Sequence, residues 1–177
     1  MHLLRPVLVL AMALALSFPA VAEQPPVTSV PAVDLARYVG KWYEIAAFPM
    51  YFQRNCVGDT TAEYTLRPDG EVTVDNRCRT ASAAEHASGR AWAVEGTGNA
   101  QLKVSFFWPF RSDYWIIGLD ESYRWAVVGN PNRKYLWILS RTPQLPQADL
   151  DAALAAARAQ GYDTSRLVFT RHTDAAG

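Results

Sequence analysis

Histidine and cysteine are scarce in this chain, and neither sign of charge prevails: 177 residues include three histidines, two cysteines, 17 basic and 17 acidic residues. His2 lies in the first residues, and His86 and His172 stand isolated. Neither Cys56 nor Cys78 has a histidine partner at metal-ligand spacing, so no metal site is predicted. The sequence also lacks a glycine-rich phosphate loop and a nucleophile elbow, and no catalytic residue is assigned. Its balanced charge argues against nucleic acid as a partner. These absences thin the case for an enzyme and turn attention to binding.

Long apolar runs are missing after residue 22. Before it, Arg5 precedes an almost wholly apolar stretch from Val7 to Phe18, and Ala20-Val21-Ala22 forms a small-x-small cleavage site. That pattern predicts a secretory signal peptide over 1–22, cut before Glu23. The run is too short for a transmembrane helix. No cysteine follows it, so no lipid-anchor cysteine is expected, and the exported chain reads as soluble. Without Arg5 the charges are 17 − 1 = 16 basic against 17 acidic. Residues 23–32 read as an exposed, proline-rich leader, and 172–177 as a solvated tail. Export permits a disulfide, and two cysteines allow one pairing, Cys56 with Cys78; two buried free thiols are the alternative. A bridge of that span contributes about 3 kcal/mol in the chain-entropy model. It requires the segment from Arg54 to Gly58 to curl back toward Cys78.

From Gly40 onward, short β-rich runs alternate with turn residues. Eight strands are predicted: Lys41–Phe48, Thr60–Leu66, Val72–Cys78, His86–Val94, Ala100–Phe107, Tyr114–Leu119, Arg124–Val128 and Tyr135–Ser140. Arg67-Pro68-Asp69-Gly70 is a strong hairpin turn. Such short connections make successive strands antiparallel neighbours. The fold class is all-β, an up-and-down barrel or a sandwich. Eight strands suffice for a barrel holding one small ligand. An alanine-rich stretch from Ala148 to Gln160, closed by Gly161, predicts a helix whose Leu150, Leu154 and Ala157 pack outside the strands. Arg166–Thr170 reads as one more short strand.

Three segments in order now carry a resemblance. They are Gly40-Lys41-Trp42-Tyr43-Glu44-Ile45-Ala46 after the turn Asp34–Tyr38, then Tyr123–Val128, then Tyr135–Pro143. The chain resembles the lipocalins, in the bacterial branch related to apolipoprotein D, from about residue 33 to 171. Leu102–Phe110 also looks like that branch. The resemblance implies an eight-stranded antiparallel up-and-down β-barrel, or calyx, with the C-terminal α-helix packed outside. It implies a lipid-like ligand, a fatty acid or lysophospholipid, with a role in cell-envelope maintenance in the periplasm or peripheral to the outer membrane. Some relatives dimerise. Others are enzymes that use a pocket cysteine, so an isomerase- or epoxidase-like activity is the alternative; no cofactor is implied.

In that family the tryptophan matching Trp42 closes the narrow end, with the arginine matching Arg141 across its ring, a structural cation–π pair. With Trp42 inward, strand alternation gives the ligand-lining expectation. It comprises Ala46, Phe48, Ala62, Tyr64, Val74, Trp92, Val104, Phe106, Tyr114, Ile116, Trp137 and Leu139, with Asn76, Val94 and Val128 as further inward guesses. Filling of the core by these aromatics is the plain alternative. Tyr51, Phe52 and Arg54 read as a lid over the open end. Trp108 and Phe110 flank Pro109 at the mouth, where exposed aromatics suit membrane lipid or a second subunit. Glu44 is the one acid placed near the interior, expected to pair with an arginine or backbone amide.

Overall fold

The computed structural model describes residues 24–173. The predicted signal segment 1–22 and residues 174–177 of the tail lie outside them.

Among the described residues nine strands and two α-helices follow one another: α1 (Leu35–Tyr38), β1 (Gly40–Ala47), β2 (Gly58–Leu66), β3 (Val72–Arg79), β4 (Ala84–Ala93), β5 (Gln101–Phe107), β6 (Phe110–Leu119), β7 (Trp125–Gly129), β8 (Leu136–Ser140), α2 (Gln147–Ala159) and β9 (Val168–Phe169). Strands β2 to β8 pair in sequence order, and β1 pairs with both β8 and β2, which closes an eight-stranded antiparallel barrel. Closure leaves no open sheet edge around the barrel. Strand β6 starts four residues before the predicted Tyr114, because Phe107 pairs with Phe110 across Trp108–Pro109 and the hairpin runs to its tip.

Two apolar cores share the wall. One lies inside the barrel, around Trp42, Leu102, Ile116, Val128 and Leu139. The other lies outside, where α2 covers Ile45, Phe48, Ile117, Val127 and Ile138. Ala153 and Ala157 are fully buried there, and Leu150 and Leu154 pack beside them. Alanine on this face lets the helix sit close to the sheet while costing least in helix propensity.

Both ends of the described segment make contacts with the wall within stretches that the sequence reads as an exposed leader and a solvated tail. Val27 is buried in the outer core, and Val30 donates its backbone N–H to Ile116 at 2.8 Å. At the C-terminus β9 pairs with Ala46 and Ala47, and Asp59 donates its N–H to the Arg171 carbonyl at 2.8 Å. His172 Nε2 bonds the Glu44 carbonyl at 2.8 Å. This segment fills the gap where β1 and β2 diverge after Tyr43 and Thr61, the last residues they pair.

Cys56 and Cys78 are joined, with Cα atoms 5.6 Å apart. The turn that brings them together follows a 3-10 segment at Tyr51–Gln53, and Cys56 donates its N–H to Gln53 O at 2.9 Å.

Candidate ligand cavity

The barrel is sealed at one end and open at the other. At the sealed end Trp42 is fully buried and donates its indole N–H to the Tyr38 carbonyl at 2.7 Å. The Arg141 guanidinium carbon lies 3.8 Å from the Trp42 ring centroid. Its nitrogens donate to the carbonyls of Arg37 at 2.6 Å, Lys41 at 3.0 Å, Tyr38 at 3.1 Å and Tyr123 at 3.4 Å. A planar head with five donors is suited to such a task, where an ammonium is not. Gly40 sits at φ +95° beneath it, a left-handed backbone conformation that glycine adopts without strain.

Above this plug is a cavity of about 440 Å³. That is within the range of small-molecule sites. Among the residues of the sequence expectation, Ala62, Tyr64, Val74, Asn76, Val104, Phe106, Tyr114, Trp137 and Leu139 line it. Others lie elsewhere. Ala46 and Phe48 leave the interior because β1 carries a bulge between Glu44 and Ala46. After it, Ala46 faces Ile138 on the outer wall, and Phe48 packs under α2 beside Tyr162 with Arg166 over its ring. One extra residue inverts every later side chain of a strand.

Trp92 is also outside. Ala91 is the inward residue of that pair, and Trp92 lies on the outer wall opposite Lys103, with Arg111 over its ring. Size misleads here: an interior left open is faced by small side chains, and Ala87, Gly89 and Ala91 take the inward positions of β4. A Cβ on Gly89 would come within 2.8 Å of the Phe106 ring, so the ring rests against bare backbone. Ile116 and Val128 point inward but belong to the packed core and not to the cavity surface. Val94 follows the end of β4 and is not among the lining residues.

Over the opening, Phe52 lines the cavity and meets Tyr135 at 5.8 Å between ring centroids. Tyr51 and Arg54 do not: they stack on each other at the surface, 4.1 Å from cation to ring. Gln53 reaches inward instead and donates to Glu44 Oε2 at 3.0 Å, while the Thr170 hydroxyl donates to Oε1 at 2.6 Å. The buried Glu44 is therefore held by an amide and a hydroxyl, not by an arginine. Burial pushes its carboxyl above its ordinary value, against the pull of those two donors and of His172. Around the mouth Phe107, Trp108 and Phe110 are 79%, 73% and 74% exposed, and Arg111 lies 5.3 Å from the Trp108 ring.

Tyr38 and Leu102 also line the cavity. Neither is among the sequence candidates. Tyr38 belongs to α1, outside any strand, and parity says nothing about it; Leu102 lies in line with Val104 two residues on, and that spacing was its available signal.

A barrel of eight antiparallel strands, plugged below and open above a lined cavity, with one helix outside, is a calyx. The chain belongs to the lipocalin family: a family model described as a lipocalin-like domain matches residues 33–172. It is 41% identical over 141 residues to the outer membrane lipoprotein Blc of Vibrio cholerae, covering 78% of this chain and 82% of that protein. It is 38% identical over 153 residues to temperature-induced lipocalin-1 of Arabidopsis thaliana, covering 82% of each. Bovine apolipoprotein D is 34% identical over 122 residues, covering 64% of this chain and 63% of that one. Among solved structures, insecticyanin from the tobacco hornworm Manduca sexta has the same fold, with a TM-score of 0.71 at 20% identity over 87% of this chain and 88% of that one.

Proposed function

We propose that this protein holds a lipid-like ligand, a fatty acid or a lysophospholipid, in the barrel cavity and stores or carries it in the cell envelope. The observation that carries the reading is a cavity of about 440 Å³ walled chiefly by Val72, Val74, Ala91, Leu102, Val104 and Leu139 and ringed at its entrance by exposed aromatics. An apolar lining with few polar groups suits a chain with one polar end. The apolar N-terminal segment and the outer-membrane relatives support export to the envelope. Phe107, Trp108 and Phe110 form the contact with a lipid surface, since they are exposed at the tip of the β5–β6 hairpin, where Phe107 and Phe110 also line the cavity. A carrier is favoured over an isomerase- or epoxidase-like enzyme because Cys56 and Cys78 are bonded to each other, leaving neither thiol for pocket chemistry.

Organic extraction of the purified protein followed by mass spectrometry tests this. A co-purified fatty acid or lysophospholipid is the expected result. An empty extract, together with tryptophan fluorescence that neither oleate nor lysophosphatidylcholine moves, overturns the reading.

A further inference from the structure

The floor of the cavity carries a polar cluster. Tyr38 from α1, Tyr64 from β2 and Tyr114 from β6 all line the cavity, and their hydroxyls meet there, Tyr38 to Tyr114 at 2.8 Å and Tyr64 to Tyr114 at 2.9 Å. Among the described residues these hydroxyls bond one another and no other protein group. Each phenol has one proton to donate, so three protons serve two contacts and one is always left over. If Tyr114 donates, the spare proton is on Tyr38 or Tyr64; if both neighbours donate to Tyr114, the spare is on Tyr114. A buried donor without an acceptor is unfavourable, and a ligand oxygen placed there relieves it. Burial pushes all three phenols above their ordinary value, Tyr64 to about 12, so they remain donors at neutral pH.

A second observation concerns charge. Arg141 lies beneath the floor, across Trp42, whose ring is 5.1 Å from that of Tyr38. All four of its hydrogen-bond partners are carbonyl oxygens, and no carboxylate pairs with it among the described residues. The sealed end thus has an uncompensated positive charge below a spare hydroxyl donor. Higher in the wall the lining charges are mixed, Glu44, Glu85 and Asp113 with Arg77 and His86, and Asp113 is paired with Lys103, so no single site there is set apart for an anion.

We propose that the three tyrosine hydroxyls form a head-group site, so that a fatty acid enters head first, its carboxyl accepting from the floor and its chain rising toward Phe52, Phe106 and Trp137. This rests on the lipid-carrier reading and narrows it. The floor is a dead end, so it takes a terminal acceptor. The phosphate of a lysophospholipid has a further polar substituent with nowhere to go. A neutral carboxylic acid and a carboxylate both accept, and in either form the floor supplies the donor.

The test uses the full, delipidated protein and oleic acid enriched with ¹³C at the carboxyl carbon. The expected result is a bound carboxyl resonance that a soluble gadolinium chelate leaves sharp and that shifts in both Tyr64→Phe and Tyr114→Phe. The triple variant Tyr38→Phe/Tyr64→Phe/Tyr114→Phe should bind oleate about tenfold more weakly, the loss of one strong hydrogen bond. It should bind 1-octadecene, the same chain length without the head, as the wild type does. A bound resonance that the chelate broadens and the substitutions leave in place puts the head at the mouth. That overturns the proposal while the carrier reading stands. Absence of any bound resonance removes the fatty-acid reading and this inference together. Should the triple variant fail to fold, the chelate experiment on the wild type decides.

Discussion

The two ends of the barrel are built from similar side chains put to opposite uses. At the sealed end Trp42 is fully buried and its ring is covered by Arg141, whose four hydrogen bonds all go to backbone carbonyls. At the open end Trp108 is 73% exposed, and the cation near its ring, Arg111, is also exposed. A desolvated cation–π pair is worth about 2 kcal/mol, an exposed one about 0.5–1. The pairing is the same; burial decides whether it holds the fold together or leaves an aromatic free to meet something else. The contrast places stability at the bottom of the calyx and, under the proposed function, lipid exchange at the top.

Breaking the bottom should cost most. Trp42→Ala should lower the unfolding free energy by about 3–5 kcal/mol, as for a large core side chain removed outright, measured by urea denaturation. Next is the disulfide, which ties the mouth segment to β3. Cys56→Ser/Cys78→Ser should lose about 3 kcal/mol, with amide exchange quickening between Tyr51 and Val57 before it does around Trp42. An even loss of protection at both ends would erase the distinction drawn here.

A smaller effect concerns Glu44. Burial raises its carboxyl above the ordinary value of 4.5, so the folded state holds the proton more tightly than the unfolded chain. The stability this group contributes is complete below its unfolded value and is lost as pH rises through its folded one. Glu44→Gln should therefore gain on the wild type as pH climbs from 4.5 toward neutrality. A difference in unfolding free energy that stays flat with pH contradicts this. Smallest in stability is Trp108→Ser, within about 0.5 kcal/mol as for an exposed site; yet it should reduce co-flotation with phospholipid vesicles. If vesicle binding is unchanged while a concentration-dependent mass increase disappears, the rim is a dimer contact instead.

Much of this architecture was legible from residues. Turn punctuation such as Arg67–Gly70 marked the strands, and the alanine-rich stretch marked α2. Inside and outside were harder to read, because parity holds only while a strand is regular. The bulge after Glu44 inverted Ala46 and Phe48, and a second one between Ile116 and Gly118 turned Gly118 toward α2 and Leu119 inward. On β4 the error had another source: hydrophobic size points to Trp92, whereas an open cavity is bounded by Ala87, Gly89 and Ala91. The contacts of the two end segments were invisible for a third reason. Residues 24–33 are anchored by single valines, Val27, Val30 and Val33, and by backbone bonds such as Val33 N–H to Gly98 O at 2.8 Å, while 170–173 bind through polar contacts, and neither pattern reads as a strand or a helix.

The central claim is that lipid occupies the cavity above Trp42, and Ala87→Trp tests it most directly. Ala87 lines the cavity at a solvent-accessible position, where a large side chain can fill the space without overpacking the core. Oleate titrated into delipidated protein and followed by displacement of a polarity-sensitive dye should bind the wild type at one site. Ala87→Trp, melting like the wild type, should lose most of that binding. Equal binding by both proteins would place the ligand elsewhere and contradict the account.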